Sequence, residues 1–153
     1  MSTFLLFVVN GAVVGTWIAA IPGVKADLGA SATQMGLVLF SASVGALVSQ
    51  QITGQLLVRV SSRRMLTGAA LVFPLLTVLP LLAPDLLVLA GVMVAFGAFN
   101  TAMDVSMNAH GVALETSGGR SILSGLHAGW SLGGVIGAVG VAVAIALGID
   151  VAV

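Results

Sequence analysis

Ten charged side chains, five acidic and five basic, are all that this 153-residue sequence offers for ionic chemistry. Asp104 is the most informative of them. In a helix beginning at Leu86 it lies about 27 Å along the axis, near the end of the span. Arg59 and Arg63 leave an earlier apolar run at the same end. A charge inside an apolar span is costly and is usually paired or functional. Three roles are open to Asp104: an ion pair with those bases, an interfacial carboxylate solvated by water and headgroups, or a group that binds solute or a proton.

Asn10 and Trp17 are seven residues apart and share one face of a helix. Asn10 either donates hydrogen bonds into a cavity or bonds a neighbouring helix. Trp17 either offers a flat apolar wall to a polyol or sugar, or joins the interfacial aromatic belt, which its place near the outer end favours. Gln51 and Gln55 share a face by their four-residue spacing, with Gln50 about 100° away, and suit hydrogen-bonding support more than a solute site. Asn100 and His127 complete the candidate cavity-lining set. An imidazole titrates near neutral pH, so His127 is either proton-sensitive or a packed, hydrogen-bonded histidine.

Other chemistry is absent from the pattern. Asn108, His110 and Glu115, with Asn100 and His127, are of ligand type, but a metal needs three or four donors converging at recognisable spacing. A break in the helix is expected between His110 and Glu115, so no metal or other cofactor is expected. "TSGGRS", from Thr116 to Ser121, lacks the lysine and spacing of a phosphate-binding loop. There is no Ser/His/Asp set, no pair of catalytic carboxylates and no dinucleotide fingerprint. The sequence does not read as an enzyme.

The elements that must position these residues follow from composition. Hydrophobic residues make up 59% and charged residues 7%, against roughly 25% charged in an ordinary soluble domain. The mean hydropathy is +1.20. A soluble globule, a disordered chain and a basic nucleic-acid binder are all excluded. With no cysteine there is no disulfide framework. The solvent for most of this chain is the lipid bilayer.

Charges mark the gaps between spans, and a span needs about 20 mostly apolar residues. The pattern predicts five helices over 4–22, 35–58, 65–83, 86–108 and 121–149, an all-α polytopic membrane protein. Pro22-Gly23 is expected to stop the first helix. That helix lacks a basic leader and a small-residue cleavage site, so it reads as a retained span. Ser31 with Gln34 has the spacing of a capping box. Pro74 predicts a kink in the third helix, and Pro84-Asp85 makes helices three and four antiparallel neighbours. Ser41, Gly45 and Ser49, Gly11 with Gly15, and Gly133 with Gly137 form small-residue stripes suited to close helix packing, with Gly134 and Gly140 beside the last. Arg59, Arg63, Arg64 and Arg120 face Lys25 across the membrane, which places the N-terminus inside and Asp150 outside.

Two sets of residues carry a family resemblance. "GQLLVRVSSRR", Gly54 to Arg64, resembles the loop signature of the major facilitator superfamily. Gly54, Arg59 and Arg63 match it, whereas Val58 replaces the usual acid and Ser61 the usual second glycine. "NGAVVGTWIAAIPGVKADLG", "DVSMNAHGVALE" and "GRSILSGLHAGWSLGGVIGA" resemble the YbjJ-like and fucose-permease-like branch. The resemblance implies that residues 1–153 are the N-terminal part of a transporter domain. They would form helices one to five of a six-helix half in a twelve-helix fold, with the remaining half as partner. It also implies a cytoplasmic gate of Gly54, Arg59, Arg63 and Asp104, in which the acid clamps the bases. The function implied is secondary transport of a small polar solute, such as a sugar, with a proton as candidate coupling ion, in the inner (plasma) membrane. A non-transporting helical scaffold or assembly partner is the alternative.

Overall fold

The computed structural model describes residues 2–149, so Asp150, expected beyond the last span, lies outside the described residues. Five helices follow one another: α1 Thr3–Asp27, α2 Ala32–Leu57, α3 Ser62–Leu76, α4 Leu86–Gly118 and α5 Leu123–Ala146. A 3-10 turn, Leu79–Leu82, extends α3. All five, with α3 and its extension taken together, are long and apolar enough to cross a membrane. The chain is an all-α polytopic membrane protein.

Local chemistry moves several expected boundaries. Pro22 lies inside α1 and does not stop it. A proline removes one donor, but membrane helices tolerate that loss where other groups re-satisfy the backbone. The stop comes at Gly29, whose φ of +58° is left-handed. There the Gly29 N–H returns to the Ala26 carbonyl and the Ala30 N–H to the Lys25 carbonyl, both at 3.0 Å. This paired closure satisfies the last carbonyls of the helix. Ser31 then starts α2 with the expected capping box: its hydroxyl accepts from the Gln34 N–H, and the Gln34 side chain accepts from the Ser31 N–H.

The third span is broken, not merely kinked. Pro74 lacks the donor for the Ala70 carbonyl and Pro80 lacks the one for Leu76. Between them the α-helix ends at Leu76, the Thr77 N–H bonds back only three residues to Pro74, and the chain resumes as the 3-10 turn.

The fourth helix departs furthest from expectation. The polar stretch after Asn108, expected as loop, is helical through Gly118. Its polar side chains fold back onto the helix: Asn108 onto the Asp104 carbonyl, Thr116 onto Val112 and Ser117 onto Leu114. Ala113, Leu114 and Glu115 are strong helix formers. Asp85 opens α4, with Oδ1 accepting from the Leu87 and Val88 N–H groups at 2.9 Å each. Glu115 opens the next helix, since its Oε2 accepts from Ile122 N–H at 2.9 Å and Leu123 N–H at 3.0 Å. A 33-residue helix runs about 50 Å against about 30 Å of hydrocarbon. Its last turns therefore stand clear of the membrane core.

Two parallel helix pairs set the register. On α2, Ser41 Oγ donates to the Ala90 carbonyl at 2.9 Å and Ser49 Oγ to the Ala98 carbonyl at 2.6 Å. Gly45 between them abuts the Val94 carbonyl on α4, so residue i of α2 lies level with residue i+49 of α4. On α1, Gly11 and Gly15 abut the Trp130 and Gly134 carbonyls of α5, while Gly133 and Gly137 abut the Val8 and Ala12 carbonyls in return. The predicted stripes are helix contacts, except that a Cβ built at Gly140 would meet nothing within 4 Å. Phe7, Phe73, Leu66, Leu89, Met93 and Met103 fill the inside. Leu37, Phe40 and Leu47 of α2 and Leu132, Val135 and Val139 of α5 point outward.

Candidate functional site

Linked polar side chains form two tiers on α4, an upper one around the buried Asn10 and a lower one in which Asp104 and His127 are exposed on the described bundle. Asn100, Asp104 and Asn108 recur every four residues and so form one stripe along that helix.

The upper tier joins three helices. Asn10 of α1 is 1% exposed; its Oδ1 accepts from Trp130 Nε1 of α5 at 2.7 Å, and its Nδ2 donates to Asn100 Oδ1 of α4 at 3.2 Å. A buried amide needs such partners, because leaving one unmade costs about 1–3 kcal/mol. Beside this knot lies an open groove of ≈ 310 Å³ lined by Trp17, Phe96, Asn100, Thr101 and Ser43 among others. The Trp17 ring is buried and lies 6.2 Å from that of Phe96. It is therefore a wall of the groove and not part of an interfacial belt. Asn100 spends its carbonyl oxygen on Asn10, which leaves the amide N–H groups as donors at the groove's edge.

The lower tier lies nearer the end that bears the arginines. Asp104 Oδ1 accepts from Asn108 Nδ2 at 3.2 Å, and Asn108 Oδ1 meets His127 Nε2 at 3.1 Å. The His127 ring stands edge-on to Phe7, with centroids 5.4 Å apart. A carboxylate, an amide and an imidazole are thus linked in series across α4 and α5.

The other expected residues disperse. The structure does not bring Arg59 or Arg63 to Asp104, whose carboxylate accepts from Asn108 instead. The register explains why: Asp104 lies level with Gln55, about one helical turn deeper than Arg59. Arg63 instead lines a cavity with His110. Arg59 lines a separate cavity of ≈ 430 Å³ with Gln55, and Gly54 is exposed with nothing within 4 Å of a Cβ built there. Gln51 is exposed, level with Asn100 but outside the groove lining. The ligand-type residues are used singly, with His110 beside the Ser62 hydroxyl at 3.5 Å and Glu115 on the α5 backbone.

Two members of the site escaped the sequence reading. Asn108 ends the expected fourth helix and enters there only as a ligand-type residue, although its eight-residue spacing from Asn100 puts both on one helix face. Trp130 follows His127 by three residues, the spacing that brings both toward α1.

Comparison with known proteins gives a consistent answer. The chain is 32% identical to an uncharacterized MFS-type transporter of Yersinia pestis over 152 residues, which is 98% of this chain and 39% of that protein. It is 35% identical to the uncharacterized transporter y4wD of Sinorhizobium fredii over 88% of its own length and 36% of the relative's. It is 37% identical to the membrane protein MosC of Rhizobium meliloti over 79% of its length and 30% of the relative's. No family model and no solved structure matches it. The chain spans about two-fifths or less of each of these relatives. It is thus a polytopic membrane protein homologous, over nearly all its length, to part of an MFS-type transporter.

Proposed function

We propose that this chain is the N-terminal part of a secondary transporter, of the YbjJ-like and fucose-permease-like kind, for a small polar solute. The observation that carries this is the groove beside the Asn10–Asn100–Trp130 knot. Its wall combines the Trp17 and Phe96 rings with aliphatic side chains and its donors are amide and hydroxyl groups, with no charged side chain in the lining. An uncharged, hydroxyl-rich solute such as a sugar or polyol fits that combination. An aromatic face covers its C–H surface, and the Asn100 amide and Thr101 hydroxyl meet its oxygens. The Asp104–Asn108–His127 tier supplies a candidate proton site on the way to the arginine-bearing end. Gly54, Arg59 and Arg63 stand at the mouth there as the gate.

Assembled with the remaining half, the chain is expected to carry at least one neutral sugar or polyol into proteoliposomes. Asn100→Leu is expected to lower that uptake about tenfold or more, the equivalent of one lost hydrogen bond to the solute. Absence of any uptake by the assembled protein would favour the scaffold reading instead. Uptake unchanged by Asn100→Leu would remove the groove from the pathway.

In this reading the protein lies in the inner membrane with its N-terminus cytoplasmic, because Arg59, Arg63, Arg64 and Arg120 share one end. Cysteines introduced singly at Ser61 and Ala26, both exposed in a chain with no native cysteine, are expected to label from opposite sides. Only the Ala26→Cys variant should react with an impermeant maleimide in intact cells. Reaction of Ser61→Cys there would invert the topology.

A further inference from the structure

A second cavity, of ≈ 380 Å³, lies between the first turns of α1 and α3 and the far part of α4. Its polar lining comprises Arg63, His110, Thr3 and Thr67, without an acidic side chain. Its remaining wall is apolar, Leu6 of α1 with Leu66, Ala70 and Leu71 of α3, and Leu71 is 70% exposed on the outer surface. The cavity therefore has a basic, hydrogen-bonding top and an apolar side that opens laterally.

Depth decides what such a cavity meets. His110 is 24 residues past Leu86, about 36 Å along α4, where the hydrocarbon is about 30 Å thick. It therefore lies just beyond the hydrocarbon, at the level of the lipid headgroups. Leu66 and Leu71, one to two turns into α3 from Arg63, fall at the level of the upper acyl chains. Ser62 Oγ lies 3.5 Å from His110 Nδ1, and Nε2 of the same ring, which lines the cavity, makes no hydrogen bond among the described residues. An exposed arginine here has no carboxylate partner in the lining, and its planar fork suits a phosphate better than a single point charge would.

We propose that this cavity binds the phosphate of an anionic glycerophospholipid, held by Arg63 and His110, with an acyl chain along Leu66 and Leu71. Basic pockets between membrane helices on the positively charged side are suited to such headgroups. A zwitterionic lipid brings its own cation into a site that already has one, so anionic lipid is preferred. The site is separate from the Trp17–Asn100 groove, and its failure would leave the transport reading intact.

The test uses the whole chain in nanodiscs of equal phosphatidylglycerol and phosphatidylcholine, with retained lipid counted by native mass spectrometry. The wild type is expected to keep phosphatidylglycerol in preference. Arg63→Gln should cut retention about tenfold or more, since a charge-assisted hydrogen bond contributes about 1.5–3 kcal/mol. Arg64→Gln, exposed and outside the lining, should change it little. His110→Gln is the second variant, and circular dichroism checks that each is folded. Equal losses in Arg63→Gln and Arg64→Gln would mean diffuse attraction to a positive surface and overturn the site. So would equal retention of phosphatidylcholine. Displacement of the lipid by excess inorganic phosphate would reassign the cavity to a free anion.

Discussion

Replacing Gly45 or Gly133 by alanine is expected to destabilise the bundle by about 1–3 kcal/mol, while the same change at Gly36 or Gly91 should be neutral or slightly stabilising. The four glycines are all helical, so propensity alone favours alanine at each. What separates them is the space for a methyl group. A Cβ at Gly45 would overlap the Val94 carbonyl oxygen, and one at Gly133 would overlap the Val8 carbonyl oxygen. Both obstacles are backbone, which cannot rotate away as a flexible side chain could. At Gly36 and Gly91 nothing lies within 4 Å. In lipid the apolar surface gains little from leaving one hydrocarbon for another, so close backbone approach and interhelical hydrogen bonds supply the attraction. Parting the helices at Gly45 would also lengthen the Ser41–Ala90 and Ser49–Ala98 bonds on either side of it. Reversible unfolding in mixed micelles measures the difference. Equal effects at all four positions would show that the glycines serve the helix backbone and not its interfaces.

The stripes were legible because four-residue spacing of small residues has one geometric meaning in a helix. The five spans were legible for a related reason: ten charges among so many apolar residues can only punctuate. Helix ends were less so. Pro22 resembles a stop, yet the helix runs until Gly29 supplies a left-handed residue. The stretch after Asn108 resembles a loop by its polarity, yet its side chains bond within α4 and Glu115 caps α5 from outside the membrane core. Near the end of a 23-residue helix Asp104 would stand level with Arg59, whereas the serine and glycine contacts fix it one turn deeper. The Asn10–Trp130 bond spans 120 residues, and no local spacing announces a partner so distant. Only the requirement that a buried amide be satisfied pointed to such a partner.

That requirement carries the other large expected effect. Asn10→Leu should destabilise the chain and also change the groove, because Asn10 holds groups on two other helices. Its removal strands the Trp130 Nε1 donor and frees Asn100 Oδ1 in the same step. Interhelical bonds of this kind inside membranes average about 0.6 kcal/mol in double-mutant cycles and reach about 1.7. Two such bonds lost together place Asn10→Leu at about 1–3 kcal/mol. Asn10→Asp is a different experiment. The carboxylate can still accept from Trp130, and Asn100 can turn its amide to donate, so both bonds have a route to survive. The added charge, however, sits on α1 in the interior at a cost of about 2.5–3.5 kcal/mol. The aspartate is therefore expected to be the more damaging variant despite its nearly unchanged shape. A cycle of Asn10→Leu against Trp130→Phe should show coupling of about 0.6–1.7 kcal/mol. A second cycle, against Asn100→Leu, should show coupling both in stability and in solute affinity, since Asn10 positions the amide that faces the groove. Coupling in stability alone would make the knot a helix fastener and nothing more. Strictly additive effects in both cycles would mean that the three side chains do not act as a unit, and the positioning role of Asn10 would fall with them.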